Sequence, residues 1–302
     1  MKSCAVLITT TENRFSELKE CLHALDCQTL YPSEIIVIVD GYVKDKSLYD
    51  IKMNNLRFYF NDEILGANKS RNVAISLSRM DLLFFCDDDD YFASDKIQST
   101  CIFFEENSLI DAVYGRSLIY LENSELNYYS SPKPISKGNN PFIKNVFGAT
   151  SNFVIKSAFL KKNNLLFDVK MPALQDWDFM LSVYLSGGCI VPLYKSLTFY
   201  RVKLNSDSIS KSIQKHCQAV TIFEEKYKTE LDKLSKKELS LRTDYEILTR
   251  VQKLVISNNR KAAFKLSIYW GIRKVSFKFL SLGIVAMFGY KLLFFLRKRL
   301  SK

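Results

Sequence analysis

The chain contains the stretch Leu82-Leu83-Phe84-Phe85-Cys86-Asp87-Asp88-Asp89-Asp90, in which an apolar run leads directly into four consecutive aspartates. An apolar run of this length is typical of a strand buried on both faces of an α/β sheet. The carboxylates would then emerge at the carboxyl end of the strand, where open α/β sheets bind ligands. Four adjacent negative charges repel one another and become favourable around a hard divalent cation, which is commonly shared with a substrate phosphate. The alternative is a solvated acidic turn, but the apolar run before the aspartates and Tyr91-Phe92 after them favour a metal–diphosphate site.

Repeated strand and helix patterns surround this stretch in the first half of the chain. Strand patterns occur at Ala5–Thr9, Glu34–Val39 and Leu56–Phe60, and helical patterns at Phe15–Cys27 and Asn68–Met80. Repeated βα units of this length predict a mixed, mostly parallel sheet with flanking helices and with ligand sites at the strand ends.

The middle of the chain is less regular. Ala112–Leu121 has a strand pattern, and residues 122–146, rich in Asn, Ser, Pro and Lys, predict an irregular loop. Gln175–Asp178 opens a helical pattern that stops at two glycines, and Leu197–Val202 predicts a last strand. From about Ser212 onward the pattern is helical, which predicts a catalytic domain over residues 1–210 and a helical extension over residues 211–302.

The composition excludes several kinds of site. The chain has 302 residues, 47% of them hydrophobic, enough for one large α/β domain with an appendage. Its seven cysteines are scattered singly, so neither a zinc site nor a disulfide framework is expected. With two histidines, a His-based catalytic triad is not expected either. The amino terminus has no secretory signal pattern, and we expect a cytoplasmic protein.

Six motifs along residues 3–210 resemble those of family-2 glycosyltransferases, which have the GT-A fold and include enzymes of bacterial surface-polysaccharide synthesis. Each motif is weak alone, and their order and spacing together carry the resemblance. Val39 stands where the family's DDG motif has a first Asp, and Gln175 stands where its ED/DWD element has a Glu. The motifs are Thr9–Arg14, Gln28-Thr29, Ile36–Gly41, Gly66–Asn72, Cys86–Asp90 and Gln175–Asp178.

The resemblance implies contacts to the nucleoside of a UDP-sugar donor. Asp40 would accept a hydrogen bond from the uracil edge, with Thr9 and Thr11 packing around the base. Asp87 would contact the ribose or the donor sugar.

The resemblance also implies how the diphosphate is held. Asp89 would bind the Mg²⁺ or Mn²⁺ that bridges the diphosphate, Asp88 would lie among the donor contacts, and Asp90 would support the metal site or contact the sugar acceptor. Arg71, at a helix beginning, would pair with the diphosphate or a carboxylate, although a surface helix arginine is the alternative. Arg14 would converge on the same crevice.

The implied reaction is the displacement of UDP from an anomeric carbon by a sugar hydroxyl. A carboxylate on the face opposite the leaving group accepts the hydroxyl proton, and Asp176 matches the family's position for this base. Trp177 could stack on an acceptor sugar or lie in the core, and Asp178 could contact the acceptor or cap its helix. One base without a covalent nucleophile implies inversion of the anomeric configuration.

Two departures from the family's pattern weaken the assignment of the donor. Many relatives carry a histidine near Tyr200–Lys203, whereas this chain has Lys203, which can hold a diphosphate but cannot ligate a metal in the same way. The altered DDG motif leaves Asp40 alone for the nucleoside.

The carboxyl-terminal region is strongly basic. Residues 247–302 hold thirteen Lys and Arg residues and no Asp or Glu, although the net charge of the whole chain is +11. The longest uncharged run, Phe279–Tyr290, is short for a membrane span. A basic amphipathic hairpin on an anionic membrane surface is favoured. The alternatives are helices packed on the catalytic domain and a marginal span in which Lys278 and Lys291 snorkel. We expect no nucleic-acid binding, because no reader motif accompanies the charge.

The favoured interpretation is an inverting hexosyltransferase that is peripheral on the inner face of the cell membrane. Its acceptor would be a glycan or a polyprenyl-diphosphate-linked saccharide of an O-antigen or capsule. A membrane-tethered nucleotide-sugar-binding protein without transferase activity is one alternative. A sugar-phosphate nucleotidyltransferase is another, but Thr10–Arg14 lacks the glycines that its first loop would need.

Overall fold

The chain folds around one mixed sheet with helices packed on its faces. The structure is a computed structural model that describes residues 2–43, 46–48, 50–136, 138–203 and 212–300. The strands are β1 (Cys4–Thr10), β2 (Glu34–Val39), β3 (Leu56–Phe60), β4 (Leu82–Asp87), β5 (Tyr91–Phe92), β6 (Ala112–Leu121), β7 (Asn127–Ser130), β8 (Phe153–Lys156) and β9 (Ile190–Val202).

The helices follow the strands in the first half of the chain and dominate its end. They are α1 (Phe15–Asp26), α2 (Ala67–Leu77), α3 (Lys96–Glu106), α4 (Ser157–Lys162), α5 (Gln175–Leu185), α6 (Ile213–Lys226), α7 (Lys228–Leu231), α8 (Lys236–Ile256), α9 (Arg260–Arg273), α10 (Phe277–Met287) and α11 (Tyr290–Leu300).

The sheet order places the strands with site residues side by side. The order is β3-β2-β1-β4-β8-β6-β9-β5, with β7 paired to β6. The strands β3, β2, β1 and β4 are mutually parallel, and β8 runs antiparallel to β4. Thr9 of β1 lies opposite Asp87 of β4, and Thr10 lies opposite Val39 of β2. The residues that follow these three strands therefore meet at one edge of the sheet, as their sequence predicted.

Both faces of the sheet are buried, which explains the continuous apolar runs. In β1, Ala5 and Leu7 face one core while Val6 and Ile8 face the other. All six residues of β2 are buried. The expected mixed sheet with flanking helices is confirmed.

Two predicted segments differ from the structure. Residues 122–146 are not wholly irregular, because Asn127–Ser130 forms β7 against β6. The last strand begins at Ile190 rather than Leu197, and its pairing with β6 is interrupted by a register shift between Gly115 and Arg116. That irregularity breaks the period of two on which strand recognition depends.

The carboxyl-terminal helices divide between two cores. Phe223 and Tyr227, from α6 and the residue after it, lie in the same core as the sheet. Val251, Phe279 and Leu293, from α8, α10 and α11, belong to a smaller separate core. The expected boundary between residues 210 and 211 lies outside the described residues. Within the described residues, no helix has the length and apolar character needed to cross a membrane.

Candidate active site

The four aspartates after β4 form a tight turn that separates their side chains. The backbone N–H of Asp90 donates to the carbonyl of Asp87 at 3.0 Å, which closes the turn. Asp88 and Asp90 are buried, at 3% and 1% exposure, whereas Asp87 and Asp89 remain partly exposed. Alternate carboxylates therefore lie in different environments, two inside the protein and two at its surface. This separation reduces the charge repulsion that the sequence predicts among the four aspartates.

Arg14 holds two of these carboxylates together. Its Nε donates to both oxygens of Asp88 at 2.8 and 2.9 Å, and its terminal nitrogen lies 2.6 Å from Asp88 and 2.7 Å from Asp89. The hydroxyl of Thr10 also donates to Asp88, at 2.6 Å. Burial raises the pKa of Asp88 to about 6, against the opposing effect of Arg14. Arg14 thus lies against the aspartate turn.

Asp90 is anchored inside the protein rather than exposed to an acceptor. The hydroxyl of Ser151 donates to it at 2.5 Å and also accepts the backbone N–H of Asp87 at 2.9 Å. Burial, together with the charges of Asp89 and Asp87, raises the pKa of Asp90. Lys96 is buried behind this turn and donates to the carbonyl of Ser151 at 2.6 Å. This arrangement gives Asp90 a supporting position, one of the two roles expected for it.

Asp87 faces the crevice and is paired with Arg71. The guanidinium of Arg71, in α2, lies 2.6 Å from the carboxylate and packs over the ring of Phe167. Arg71 is therefore not a free surface arginine, because its side chain is 11% exposed. The helix that carries Arg71 begins beside the end of β2, so the placement of this cation depends on the residues after β2.

Asp40, the first residue after β2, organises that helix start. Its carboxylate accepts the backbone N–H groups of Leu65 and Gly66 at 2.9 and 2.8 Å, and the side chains of Asn61 and Ser70 donate at 2.9 and 3.0 Å. All four donors are groups of the protein itself. The structure thus gives Asp40 an ordering function at the edge where the nucleoside was expected.

Asp176 lies in the first turn of α5. Its carboxylate accepts the backbone N–H of Trp177 at 2.8 Å, and the side-chain amide of Asn145 lies 3.4 Å away. The residue at the N-cap position is Leu174, which makes no side-chain capping hydrogen bond and whose φ of 60° is left-handed and uncommon for a bulky residue. Burial raises the pKa of Asp176 to about 6, while the charge of Arg71 opposes the shift. Asp176 is therefore not the helix cap that was its alternative role.

Trp177 and Asp178 point away from the crevice. The indole N–H of Trp177 donates to the carbonyl of Pro141 at 2.7 Å, and its ring packs on Phe223, with 3% of the residue exposed. Asp178 accepts from the hydroxyl of Tyr227 at 2.8 Å and pairs with Lys226 at 2.8 Å. Of the alternatives considered, core packing describes Trp177, and Asp178 joins α5 to α6 rather than contacting an acceptor.

Tyr200 of β9 lies within electrostatic range of four acidic side chains. Burial raises its pKa, and the charges of these aspartates add to the shift. They are Asp87, Asp89, Asp90 and Asp176.

Lys203 lies near the same end of the sheet but is engaged with acidic residues. Its ammonium lies 2.6 Å from Glu17 of α1 and 3.6 Å from Glu122. Thr9 and Thr11 flank the end of β1, and the carbonyl of Thr11 accepts the backbone N–H of Arg14 at 2.9 Å. The loop after β1 therefore positions Arg14.

Asp87 and Asp89 are the two carboxylates of the aspartate turn that remain accessible to a cation. Among the described residues, no group of three or more acidic, histidine or cysteine side chains is arranged to hold an ion. The side chains of Asp87 and Asp89 are 30% and 24% exposed at the strand end. Mg²⁺ is usually held by one or two carboxylates with substrate phosphates and water, so this donor set suits an ion that arrives with a diphosphate.

The family of the chain follows from comparison with known proteins. The sequence model of the family described as "Glycosyl transferase family 2" matches residues 6–164, more than half of the chain. The chain belongs to glycosyl transferase family 2. Its membership confirms the reaction class and fold expected from the six motifs, an enzyme of the hexosyltransferase type with a GT-A-like fold.

Individual relatives in family 2 are distant. An uncharacterized glycosyltransferase of Haemophilus influenzae is 27% identical over 230 residues, which are 73% of this chain and 76% of that protein. The poly(ribitol-phosphate) beta-glucosyltransferase of Bacillus spizizenii is 27% identical over 206 residues, 64% of this chain and 31% of that protein. The structure of Staphylococcus aureus TarS 1–349 in complex with UDP has a TM-score of 0.54 at 16% identity, covering 94% of this chain and 90% of that chain. At this level of identity, the similarity to the TarS structure shows a shared fold only.

Sequence reasoning missed several residues of this family-2 site. Ser151 and Lys96 support the aspartate turn from within the protein, and Asn145 reaches Asp176 from the loop before β8. Thr10 contacts Asp88, although its neighbours Thr9 and Thr11 were the expected residues. The alternation of side chains along β1 could have identified Thr10, because it places Thr10 on the face opposite that of Thr9 and Thr11.

Proposed function

We propose that this enzyme transfers a sugar from a UDP-sugar to a hydroxyl of a saccharide acceptor, with inversion at the anomeric carbon. The observation that carries the proposal is the pairing of Arg71 with Asp87 at the end of β4, 2.6 Å apart and within electrostatic reach of Asp176. A base is thereby placed beside groups suited to a diphosphate. The solved structures of TarS with UDP and with UDP-GlcNAc support this class of donor.

Asp176 acts as the general base in this proposal. With a pKa of about 6 it is ionised at neutral pH, yet it is a stronger base than an ordinary aspartate. The hydrogen bond from the backbone of Trp177 fixes one oxygen, and Asn145 approaches the other. The carboxylate is therefore held in one orientation toward the acceptor hydroxyl, whose proton it removes as the bond to the anomeric carbon forms.

The departing diphosphate would be held by cations of the chain. Arg71 and Arg14 already lie against Asp87 and Asp89, so both guanidinium groups are directed at the strand end before a donor arrives. Asp89, with Asp87 beside it, would hold Mg²⁺ or Mn²⁺. When bound, such an ion offsets the charge that builds on the leaving group.

The nucleoside would bind at the ends of β1 and β2. Asp40 orders the turn before α2, and we propose that this ordered edge receives the uracil with Thr9 and Thr11 packed around the base. Asp88 keeps Arg14 at the donor side. Lys203 would contribute a positive charge if it exchanged Glu17 for a phosphate.

The acceptor in this proposal is a saccharide on a polyprenyl-diphosphate lipid, used in surface-polysaccharide synthesis on the cytoplasmic face of the membrane. The support is the concentration of positive charge and of exposed apolar side chains in α9, α10 and α11. Such helices suit an anionic lipid surface.

A donor panel with matched variants tests the proposal. We expect turnover of one UDP-sugar, measured as UDP release and sugar transfer, to require Mn²⁺ or Mg²⁺. Asp89→Ala and Asp176→Asn should each lower transfer by at least about 10²-fold, whereas Asp95→Asn, which changes an exposed aspartate at the start of α3, should not affect it. UDP binding by the wild-type protein without turnover of any sugar would contradict a transferase and indicate a binding protein.

A further inference from the structure

The helix α10 is apolar on the side that faces the protein and on the side that faces away from it. Phe279, Gly283 and Ala286 are buried against the neighbouring helices. Phe277, Ile284 and Phe288 follow a spacing of seven and four residues, which places them on one helix side, and they are 83%, 58% and 69% exposed. A helix that is apolar on all sides is normally buried. In the described part of the chain, however, nothing covers the outward side of α10.

The turn between α9 and α10 extends this surface. Ile272 is 69% exposed and Val275 is 94% exposed. Val275 has a φ of 50°, which is uncommon for a β-branched residue and costs conformational energy. We name the five exposed side chains the outer apolar face; they are Ile272, Val275, Phe277, Ile284 and Phe288.

Positive charges border the outer apolar face. Arg273 and Lys278 are exposed beside the turn, and Lys291 is exposed at the start of α11. Residues 247–302 contain no acidic residue that could neutralise them. A second copy of the chain would bring the same charges to the same surface, which is unfavourable. An anionic bilayer offers both an apolar phase and opposite charge.

The outer apolar face is attached to the active site through α8. Lys274, within the turn, lies 2.9 Å from Asp244 of α8 and donates to the hydroxyl of Ser240 at 2.7 Å. On the same helix, Arg242 donates to the carbonyl of Phe142 at 2.7 Å and lies over the ring of Trp177, the neighbour of Asp176. One helix therefore separates the turn from the residues beside the catalytic base.

We propose that the outer apolar face docks on an anionic lipid bilayer and, through α8, holds the Asp176 side of the active site close to that bilayer. With 11 residues, α10 is about 16 Å long and would lie within the interface rather than cross the hydrocarbon. The placement of the Asp176 side near the bilayer rests on the proposed function, because it gives a lipid-linked acceptor direct access to the base. The docking of the outer apolar face does not depend on catalysis.

Vesicle co-sedimentation tests the docking. We expect the full chain to sediment with vesicles of phosphatidylcholine that contain about one third phosphatidylglycerol, and far less with phosphatidylcholine alone. The double variant Phe277→Asn, Ile284→Asn should lose at least about tenfold in partitioning. Its matched control is Leu109→Asn, Leu185→Asn, which changes two exposed apolar residues outside the tail.

A second pair of variants tests the charge. Lys278→Gln, Lys291→Gln should weaken sedimentation with the anionic vesicles, whereas Lys161→Gln, Lys162→Gln on α4 should not. Unchanged melting temperatures and unchanged UDP affinity establish that the variants are folded with an intact donor site. If UDP binding failed in the wild-type protein, the proposed function would be contradicted while the vesicle result stood.

Three outcomes would overturn the docking itself. The wild-type chain could fail to sediment with anionic vesicles, or the Phe277 and Ile284 variant could sediment like the wild type. Alternatively, size-exclusion chromatography could show a stable dimer that this variant dissociates, which would make the face a contact between copies of the chain.

Discussion

As the proposed base, Asp176 has two properties that act in opposite directions. A base must be ionised to accept a proton, yet partial burial disfavours its charged form and raises its pKa to about 6. The raised pKa makes the carboxylate a better proton acceptor at neutral pH and makes the folded state less stable there. Both consequences can be measured with one isosteric substitution.

For catalysis, we expect Asp176→Asn to lower kcat by about 10²–10⁴-fold, because an amide cannot accept the proton of the acceptor hydroxyl. Nucleotide affinity should be unchanged, since in the proposed function Asp176 contacts the acceptor hydroxyl and not the nucleotide. In the wild type, kcat/KM should fall below about pH 6 as Asp176 becomes protonated. Steady-state kinetics across pH 5–8 measure both effects, and a variant with wild-type kcat would remove Asp176 from the mechanism.

The substitution that lowers kcat should raise the stability of the folded protein. A carboxyl whose pKa is higher in the folded than in the unfolded state favours folding below its unfolded pKa and loses that contribution as the pH rises through about 6. Asp176→Asn should therefore be more stable than the wild type by about 1–2 kcal/mol at pH 8. Urea unfolding at pH 8 and at pH 5 measures the difference, which should shrink at the lower pH. Equal destabilisation at both values would contradict the assigned shift.

At the same scale, the sequence predicted the aspartate turn but not its internal support. The apolar run before Asp87 placed the acidic residues at a strand end because strand burial is a local pattern. Ser151 donates to Asp90 across 61 positions of the chain, and Lys96 donates to the carbonyl of Ser151 across 55 positions; neither residue belongs to a motif. Such long-range hydrogen bonds leave no periodic signal, so they required the structure.

Among the elements, α2 depends on one carboxylate outside it. Asp40 accepts two backbone N–H groups at the helix start, including that of Gly66, whose φ of 86° suits glycine. The helix carries Arg71 to Asp87. The ordering of this turn thus determines where Arg71, the arginine proposed to hold the diphosphate, lies.

We expect Asp40→Ala to destabilise the protein by about 2–3 kcal/mol, because it leaves backbone donors of the turn without an acceptor. It should also weaken nucleotide binding through the displaced Arg71. Asp62→Ala is the matched control, since Asp62 lies in the same turn and is exposed. Denaturant unfolding and nucleotide titration give the two values. Unchanged stability together with lost binding would instead indicate that Asp40 contacts the uracil directly.

The elements also show where sequence patterns fail. The apolar, doubly buried strands β2 and β4 were predicted nearly to the residue. The strand β7 was not, because Asn127–Ser130 is a short, exposed edge strand whose residues resemble a loop. None of its four residues is fully buried, so no alternation of apolar and polar residues arises.

At the scale of the whole molecule, the catalytic half needs the helices that follow it. Phe223, Tyr227 and Leu231 complete the core on one face of the sheet. Side chains of this size contribute about 1.5–3 kcal/mol each when buried, against a total stability of about 5–15 kcal/mol.

We therefore expect a chain that ends at residue 210 not to unfold cooperatively and to expose apolar surface to a fluorescent dye. The full chain, cleaved at a protease site inserted between residues 210 and 211, is the matched control, because it keeps the later helices docked. Thermal unfolding followed by circular dichroism compares the two. A cooperative transition of the shorter chain would show that residues 1–210 form an independent domain, as their sequence suggested.

The most direct test of the whole account is a calorimetric titration of the full chain with UDP, with and without Mn²⁺, repeated with Asp89→Asn. Exposed carboxylates beside two arginines should bind a diphosphate with a cation, so we predict affinity in the wild type that depends on Mn²⁺. Asp89→Asn should lose that dependence and should keep the melting temperature. Metal-independent UDP binding that is unaffected by Asp89→Asn, or no UDP binding at all, would contradict the assignment of the aspartate turn as the donor site.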